Sequence, residues 1–375
     1  MRPKIVFVSG YHDYRTKKKA SIQQLADAYV RSSCDVAFVS TRYSWMSKLK
    51  GDSRLFLWDR SNRIEVVNGV SCLLWRTAVH PFHSQSGFAN RVMEAFYPFY
   101  ERLRNGNFEK LVTGADYVII EASAAVLLIE RIRQLAPTAR IIYYATDLLE
   151  TVGGHPYLQA KLEQNAGLID HACLRSRAMV SSFSWMADRL YRAEFGVNRA
   201  ELDTDAPSPY DTPLNAVSVG SMLFDPWVVE TAAEQFPDVH FHVIGAGKPL
   251  RERTNLHVHA EMNYRDTVPY VRHANVGIAP YLKAPGSEYL ADSSLKLAQY
   301  EYYGLPALCP DFAAGDVPSR TGYRPGDPES LRAAMNRSLS LVGEVEPRTF
   351  LSWNEVAERV LHPEKYPDIQ LHPNG

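Results

Sequence analysis

Short apolar runs alternating with amphipathic stretches set the rhythm of this chain. Residues 5–8, 36–40, 71–75, 117–120, 140–144 and 170–174 are brief and rich in Val, Ile and aromatic residues, which is the pattern of strands. Between them, residues 20–31, 88–104, 122–135, 157–166 and 177–192 place apolar side chains at helical spacing. Strands that are apolar almost throughout and alternate with helices predict a parallel sheet covered on both faces. The rhythm fades over 194–215, where Pro, Asp and Thr accumulate, and this stretch reads as an interdomain linker. It resumes with strands predicted at 216–219, 240–244, 256–258, 276–280 and 307–309, and helices at 225–235, 267–273 and 328–342, besides one that follows Ser294. A last amphipathic segment covers 353–361. The expected class is α/β with two domains, 1–198 and 199–350, and a tail, 351–375, placed to return to the first domain.

Composition agrees with two ordinary globular domains. The chain has 375 residues, 46% hydrophobic and 22% charged, far from a disordered composition. Cys34, Cys72, Cys173 and Cys309 are widely spaced, in no metal-binding pattern, and are expected to be buried thiols. Residues 5–8 are too short for the core of a signal peptide, and 118–129 is interrupted by Glu121, so neither a secretory leader nor a membrane span is expected. Charge does change the picture. Residues 1–110 hold 18 Lys+Arg against 9 Asp+Glu, whereas the remainder holds 23 against 33. A basic N-terminal part suggests an anionic partner, either a nucleic acid or an anionic membrane surface.

The stretch from Tyr289 to Pro310 carries the strongest chemistry. A polar turn, Ala291-Asp292-Ser293-Ser294, opens an apolar-periodic run that stops at Gly304-Leu305-Pro306. The first turn of a helix offers unpaired N–H groups and a positive dipole end, so it suits phosphate, and Lys296 adds a mobile point charge. This predicts a site for the diphosphate of an activated sugar. Ligands of open parallel sheets bind beyond the carboxyl ends of strands. Four such ends carry Gly220-Ser221-Met222, Gly245-Ala246-Gly247, Glu261-Met262 and Pro280-Tyr281. Met222, Met262 and Tyr281 are suited to sandwich a planar base or simply to pack a core. Asp203-Thr204-Asp205 resembles a metal-binding triplet but sits in the Pro-rich stretch and reads as solvated loop.

In the first half, Asp147 follows the strand at 140–144 and reads either as a general base facing the interdomain cleft or as a helix cap. Glu121 ends another strand and likewise caps a helix or lines the cleft. The loop Gly10 to Lys19 lacks the Gly-rich dinucleotide pattern. Its basic run suits a phosphate, an anionic lipid or a nucleic acid, or is a solvated cluster. Between Arg42 and Trp58, basic residues interleave with Trp45, Met46, Leu49, Leu55, Phe56 and Trp58, and Phe88, Val92, Phe96, Phe99 and Tyr100 share a helical face. Such mixtures favour a membrane surface over a nucleic acid, for which no motif is present.

Seven words, in order, carry a family resemblance. They are His12-Asp13-Tyr14-Arg15-Thr16, Lys50-Gly51-Asp52, Leu74-Trp75-Arg76-Thr77 with Val79-His80-Pro81-Phe82, Val219-Gly220-Ser221-Met222-Leu223-Phe224-Asp225-Pro226, Phe241-His242-Val243-Ile244-Gly245, Gly277-Ile278-Ala279-Pro280-Tyr281 and Tyr289-Leu290-Ala291-Asp292-Ser293-Ser294. Over nearly its whole length the sequence resembles the GumK-type glucuronosyltransferases of xanthan assembly, glycosyltransferase family 70. The resemblance implies a GT-B fold, two Rossmann-like domains facing a deep cleft. It implies an inverting transfer with no metal or other cofactor, from UDP-glucuronate to a polyprenyl-diphosphate-linked oligosaccharide, in bacterial exopolysaccharide synthesis. The implied location is peripheral, at the cytoplasmic face of the inner membrane. The family's base falls on Asp147, and its UDP contacts fall on Met222, Glu261, Tyr281, Ser293, Ser294, Lys296 and Gln299. Where the family reads Arg-Ala-Ser-Asp-Gly, this chain has Tyr144-Ala145-Thr146-Asp147-Leu148, a difference that bears on the acceptor and the donor sugar. Two alternatives stand beside this reading: the same fold working on another UDP-hexose, and a non-catalytic membrane-associated protein of polysaccharide assembly.

Overall fold

Runs that are apolar on both faces must be covered on both, and here they make two parallel sheets, one in each of two units. The computed structural model describes residues 2–17, 19–49, 51–83, 86–284 and 287–372. Lys18 and Lys50, two of the basic residues singled out above, lie outside the described residues. One unit comprises Met1–Gly196 with Trp353–Gly375, and the other Val197–Ser352.

The first unit holds β1 (Lys4–Ser9), β2 (Asp35–Tyr43), β3 (Ile64–Val67), β4 (Val70–Arg76), β5 (Tyr117–Glu121), β6 (Arg140–Ala145), β7 (His171–Leu174) and β8 (Leu190–Arg192). With Gln370–Leu371 they form a nine-stranded sheet in the order Gln370–Leu371, β8, β7, β6, β5, β1, β2, β4, β3. Only the two outermost pairings are antiparallel. In β1 and β5, Val8 lies opposite Ile120, and in β5 and β6, Glu121 lies opposite Tyr144. The carboxyl ends of three adjacent strands are therefore level. The helix Trp353–Leu361 belongs to this unit: Tyr29 donates its hydroxyl to the Ala357 carbonyl at 2.8 Å, and His171 Nε2 lies 2.9 Å from the Val360 carbonyl.

One expectation is corrected here. Residues 177–192 are not one helix but a 3₁₀ segment, Arg177–Met186, kinked at Phe183 and followed by β8. Met179, Phe183 and Met186 are buried at helical spacing, but Ser181, Ser182 and Ser184 compete for the backbone and weaken a regular helix. The boundary between the units, Gly196/Val197, falls within 194–215, and most of the stretch is hydrogen-bonded within the second unit. Tyr303 donates to the Leu202 carbonyl at 2.9 Å, Tyr210 donates to the Tyr270 carbonyl at 2.6 Å, and His273 Nε2 lies 2.9 Å from the Ala206 carbonyl. Asp203 accepts from the Tyr302 hydroxyl at 2.7 Å. Among the described residues no three His, Cys, Asp or Glu gather as metal ligands.

The second unit holds β9 (Asn215–Val219), β10 (His240–Ile244), β11 (Leu256–His259), β12 (Val276–Ile278), β13 (Ala307–Pro310) and β14 (Arg320–Tyr323). They form a fully parallel sheet in the order β11, β10, β9, β12, β13, β14. Val228, Val229, Phe241, Ile278, Leu308 and Leu331 belong to its core. The helix Leu295–Tyr302 is fixed to this sheet by Tyr300, whose hydroxyl lies 3.0 Å from the carbonyl oxygens of both Val217 and Ile278. The ring lies so close to β12 that a Cβ on Gly277 would come within 2.3 Å of it. Gly277→Ala is therefore expected to lower stability by roughly 1–3 kcal/mol, as overpacking does, read as a lower urea midpoint. Tyr300→Phe keeps the ring and is expected to cost about 1 kcal/mol.

Candidate active site

Parallel order brings the carboxyl ends of β11, β10, β9 and β12 together along one edge of the second sheet. Their loops touch. A Cβ on Gly245 would lie 3.4 Å from Glu261 Cα, and one on Gly247 would lie 3.6 Å from Ser221 Cβ. Both glycines have φ of +65°, a left-handed conformation that an L side chain strains. Phe224 bridges Tyr281 across the loops after β9 and β12. Met222, at the tip, is 52% exposed.

The segment that follows is not one helix. A short turn, Leu290–Ser293, breaks at Ser294, and the helix Leu295–Tyr302 begins there. Ser294 Oγ accepts from the Leu297 N–H at 3.1 Å and shares a 2.6 Å hydrogen bond with the Tyr281 hydroxyl. Its oxygen is therefore engaged in capping. Tyr281 is only 3% exposed, so it buttresses the cap rather than offering an open stacking face. Ser293 Oγ and Gln299 Nε2 are different: both are buried and neither has a hydrogen-bond partner among the described residues. A buried polar group left so costs about 1–3 kcal/mol, which a ligand would recover.

Lys296 occupies the first turn of this helix. Its Nζ lies 3.5 Å from Ser218 Oγ, at the end of β9, and 5.3 Å from the centre of the Tyr281 ring. No carboxylate pairs with it among the described residues, and burial pushes its pKa down to about 7. A half-buried lysine in the first turn of a helix has the charge and the position that suit an anion. Sequence reasoning missed what holds this end in place. Arg320 lies against Glu301 in a buried pair, and it donates to the carbonyls of Ala291, Ala313 and Ala314. Ala291 stands directly before Asp292-Ser293-Ser294, so Arg320 is a positioning residue. Its signal in sequence is only an arginine opening a short strand.

In the first unit, the level ends of β6, β5 and β1 carry Asp147, Glu121 and the loop after Ser9. Asp147 is half-buried and accepts from the Thr146 hydroxyl at 3.0 Å. Glu121 does not cap a helix: that role falls to Ser123, which accepts from the Ala125 N–H. The Glu121 carboxylate is buried between Ser9 and His12. The basic loop divides: Lys17 is exposed, while Arg15 is drawn inward. Arg15 is buried against Asp13 and Glu65, and Lys19 lies 3.7 Å above the Tyr14 ring.

Two Rossmann-like parallel sheets, one in each unit, are the architecture of the GT-B glycosyltransferases. Residues 7–175 match the N-terminal domain family of glucuronosyltransferase GumK. The chain is 37% identical over all 375 residues to the UDP-glucuronate:glycolipid 2-beta-glucuronosyltransferase of Xanthomonas campestris pv. campestris, covering 93% of that protein. It belongs to the GumK-type glucuronosyltransferase family. Its fold is similar to that of a sucrose-phosphate synthase from Thermosynechococcus elongatus, with TM-score 0.61, 13% identity, and 97% and 98% of the two chains covered. It is also similar to a trehalose-6-phosphate protein of E. coli bound with UDP-2-fluoro glucose, with TM-score 0.63, 11% identity, and 97% and 99% covered.

A bound diphosphate would restore the charge on Lys296. UDP binding is therefore expected to take up nearly one proton at pH 8, with affinity falling up to about tenfold per pH unit above 7. Calorimetry in buffers of different ionisation enthalpy checks this. Lys296→Ala is expected to abolish the uptake and weaken binding.

Proposed function

We propose that this protein moves glucuronate from UDP-glucuronate to a polyprenyl-diphosphate-linked oligosaccharide, with inversion at the anomeric carbon and without a metal. The observation that carries this is the half-buried, uncompensated Lys296 at a helix N-terminus beside two unpartnered polar side chains, Ser293 and Gln299. The diphosphate rests on the helix Leu295–Tyr302, with Ser293 and Gln299 on its oxygens. Met222 and Glu261 flank the nucleoside, while Ser294 and Tyr281 hold the cap. Lys296 offsets the charge that grows on the departing UDP, the task a metal performs in other transferases. Asp147 removes the acceptor hydroxyl proton as that oxygen attacks the anomeric carbon.

A lipid-linked acceptor is supported by the surface of the first unit. Leu49 is 76% and Phe88 81% exposed, and Trp45, Phe56, Val92 and Phe99 are also open to solvent. Trp75, Val79, Phe96, Phe99 and Leu103, with Arg76 and Arg104, line a groove of about 290 Å³. No helix among the described residues is long and apolar enough to cross a membrane. Apolar side chains beside arginines suit the surface of an anionic bilayer, and the reading places the enzyme peripherally at the cytoplasmic face, in exopolysaccharide synthesis.

Asp147→Asn is expected to lower kcat by about 10²–10⁴ while leaving UDP affinity intact; retention of most activity would remove Asp147 from the reaction. Donor profiling by UDP release, with and without a glycolipid acceptor, is expected to favour UDP-glucuronate. Equal turnover of other UDP-hexoses would favour a broader transferase, and absence of UDP binding a non-catalytic protein. Flotation with vesicles is expected to need anionic lipid and to weaken at high salt.

A further inference from the structure

Of the residues in His12-Asp13-Tyr14-Arg15-Thr16, four are tied into the fold. Asp13 and Arg15 form a buried pair at 2.8 Å, and Arg15 reaches Glu65 at 2.6 Å. The Tyr14 hydroxyl bonds to Asp27, and Thr16 Oγ1 donates to the Asp13 carbonyl at 2.8 Å. His12 keeps a partly open side chain, 37% exposed. Its backbone N–H donates to Ser9 Oγ at 2.8 Å, and its Nδ1 lies 2.6 Å from Glu121 Oε1. Ser9 in turn donates to the other Glu121 oxygen. Gly10 is pressed so close to Ser123 that a Cβ would come within 2.8 Å, which holds the loop against β5.

Glu121 is thus fixed at both oxygens and 3% exposed. A carboxylate facing Nδ1 places the proton there and leaves the lone pair on Nε2. The braced loop, the buried carboxylate and the open ring form the arrangement of an oriented base. Three charged groups face the imidazole: Glu121, Asp147 and Arg54. Burial and Arg54 oppose the imidazolium, yet Glu121 and Asp147 outweigh them, and the His12 pKa is raised.

We infer that His12 is a second catalytic residue of the transfer, with Glu121 as its positioning residue, and that His12 Nε2 receives the proton lost by the acceptor hydroxyl. The inference rests on the transferase reading above. The acceptor O–H bond breaks, and the oxygen's electron pair forms the bond to the anomeric carbon. The bond from that carbon to the UDP oxygen breaks, its pair leaving on the diphosphate. The proton passes by way of Asp147 to Nε2, and the imidazolium, offset by Glu121, returns it to water after product leaves. A carboxyl group, with an ordinary pKa of about 4, holds a proton poorly at neutral pH, whereas an imidazole, at about 6.5, holds it well.

The test is kcat/KM of the full chain with UDP-glucuronate and a glycolipid acceptor, from about pH 5 to about pH 9, for wild type, His12→Asn, Glu121→Gln and Asp147→Asn. Wild type is expected to lose activity on the acid side with a midpoint above about 6.5. Glu121→Gln is expected to shift that midpoint to lower pH and reduce the plateau. His12→Asn is expected to lose about 10²–10⁴ of kcat/KM, with the thermal midpoint and UDP affinity of wild type. His12→Asn within threefold of wild type, or an acid limb unmoved in Glu121→Gln, overturns the inference. Should Glu121→Gln unfold, His12→Asn and His12→Gln decide alone. Loss in His12→Asn with an active Asp147→Asn would remove Asp147 and leave His12 as the base itself; the reverse outcome removes His12 and leaves Asp147.

Discussion

An ammonium half-buried without a carboxylate is costly, and the second unit is arranged around one. In a low-dielectric site the charge either leaves as a proton or waits for an anion, and the depressed pKa of Lys296 reflects that choice. Such a group can be kept at a fixed place only if its surroundings are rigid. Tyr300 fixes the helix that carries it, against a glycine that leaves room for the ring. Ser294 and Tyr281 fix the start of that helix, and Arg320 ties down the turn before it. Their packing holds the first turn of that helix, where the proposed reading seats a diphosphate, in one geometry.

The first unit treats its charges in the opposite way. Asp13 faces Arg15, Asp52 faces Arg54 at 2.8 Å, and Glu121 faces His12. Arg54 is 2% exposed and also donates to the carbonyls of Thr41 and Arg42 at 3.0 and 3.2 Å, which braces the ends of β1 and β2. Burying an ion pair rarely adds much stability, but breaking one leaves a stranded charge and costs several kcal/mol. These pairs therefore act as locks on loop geometry. One unit holds a lysine with no carboxylate beside it among the described residues, while the other holds Asp13, Asp52 and Glu121 by internal cations.

How much of this was legible in the sequence follows from what each feature depends on. The central strands were legible, because being buried on both faces leaves an apolar run that nothing else explains. The hairpin of β3 and β4 was overlooked although Asn68-Gly69, with φ of 49° and 81°, is the two-residue turn signal for it; Glu65 and partial exposure hid β3. The helix after Ser294 was legible because a cap and a stop lie within one stretch. The engagement of Ser294 and Tyr281 with each other was not, since it joins residues on separate elements. His12 and Glu121 are 109 positions apart, and only the adjacency of β1 and β5 makes them neighbours. Three of the four cysteines are buried thiols, while Cys34, beyond the first helix, is half-exposed.

The charge asymmetry survives the burial of arginines. Arg15 and Arg54 are withdrawn from the surface, but each takes an aspartate with it, so the positive excess of the first 110 residues stays outside. That excess is distributed beside rings: Lys48 lies 4.0 Å and Arg76 4.5 Å from the Trp58 ring, which shields the indole and makes it part of a packed cluster with Tyr43 and Leu57. Trp45, Leu49 and Phe56, like Phe88, Val92 and Phe99, stay exposed. Side chains of this kind gain by burial in lipid only when the bilayer brings them close, and a screened electrostatic attraction supplies the approach. In the membrane-attached reading proposed above, a few apolar side chains would insert while charge sets the encounter, and the attachment would be reversible.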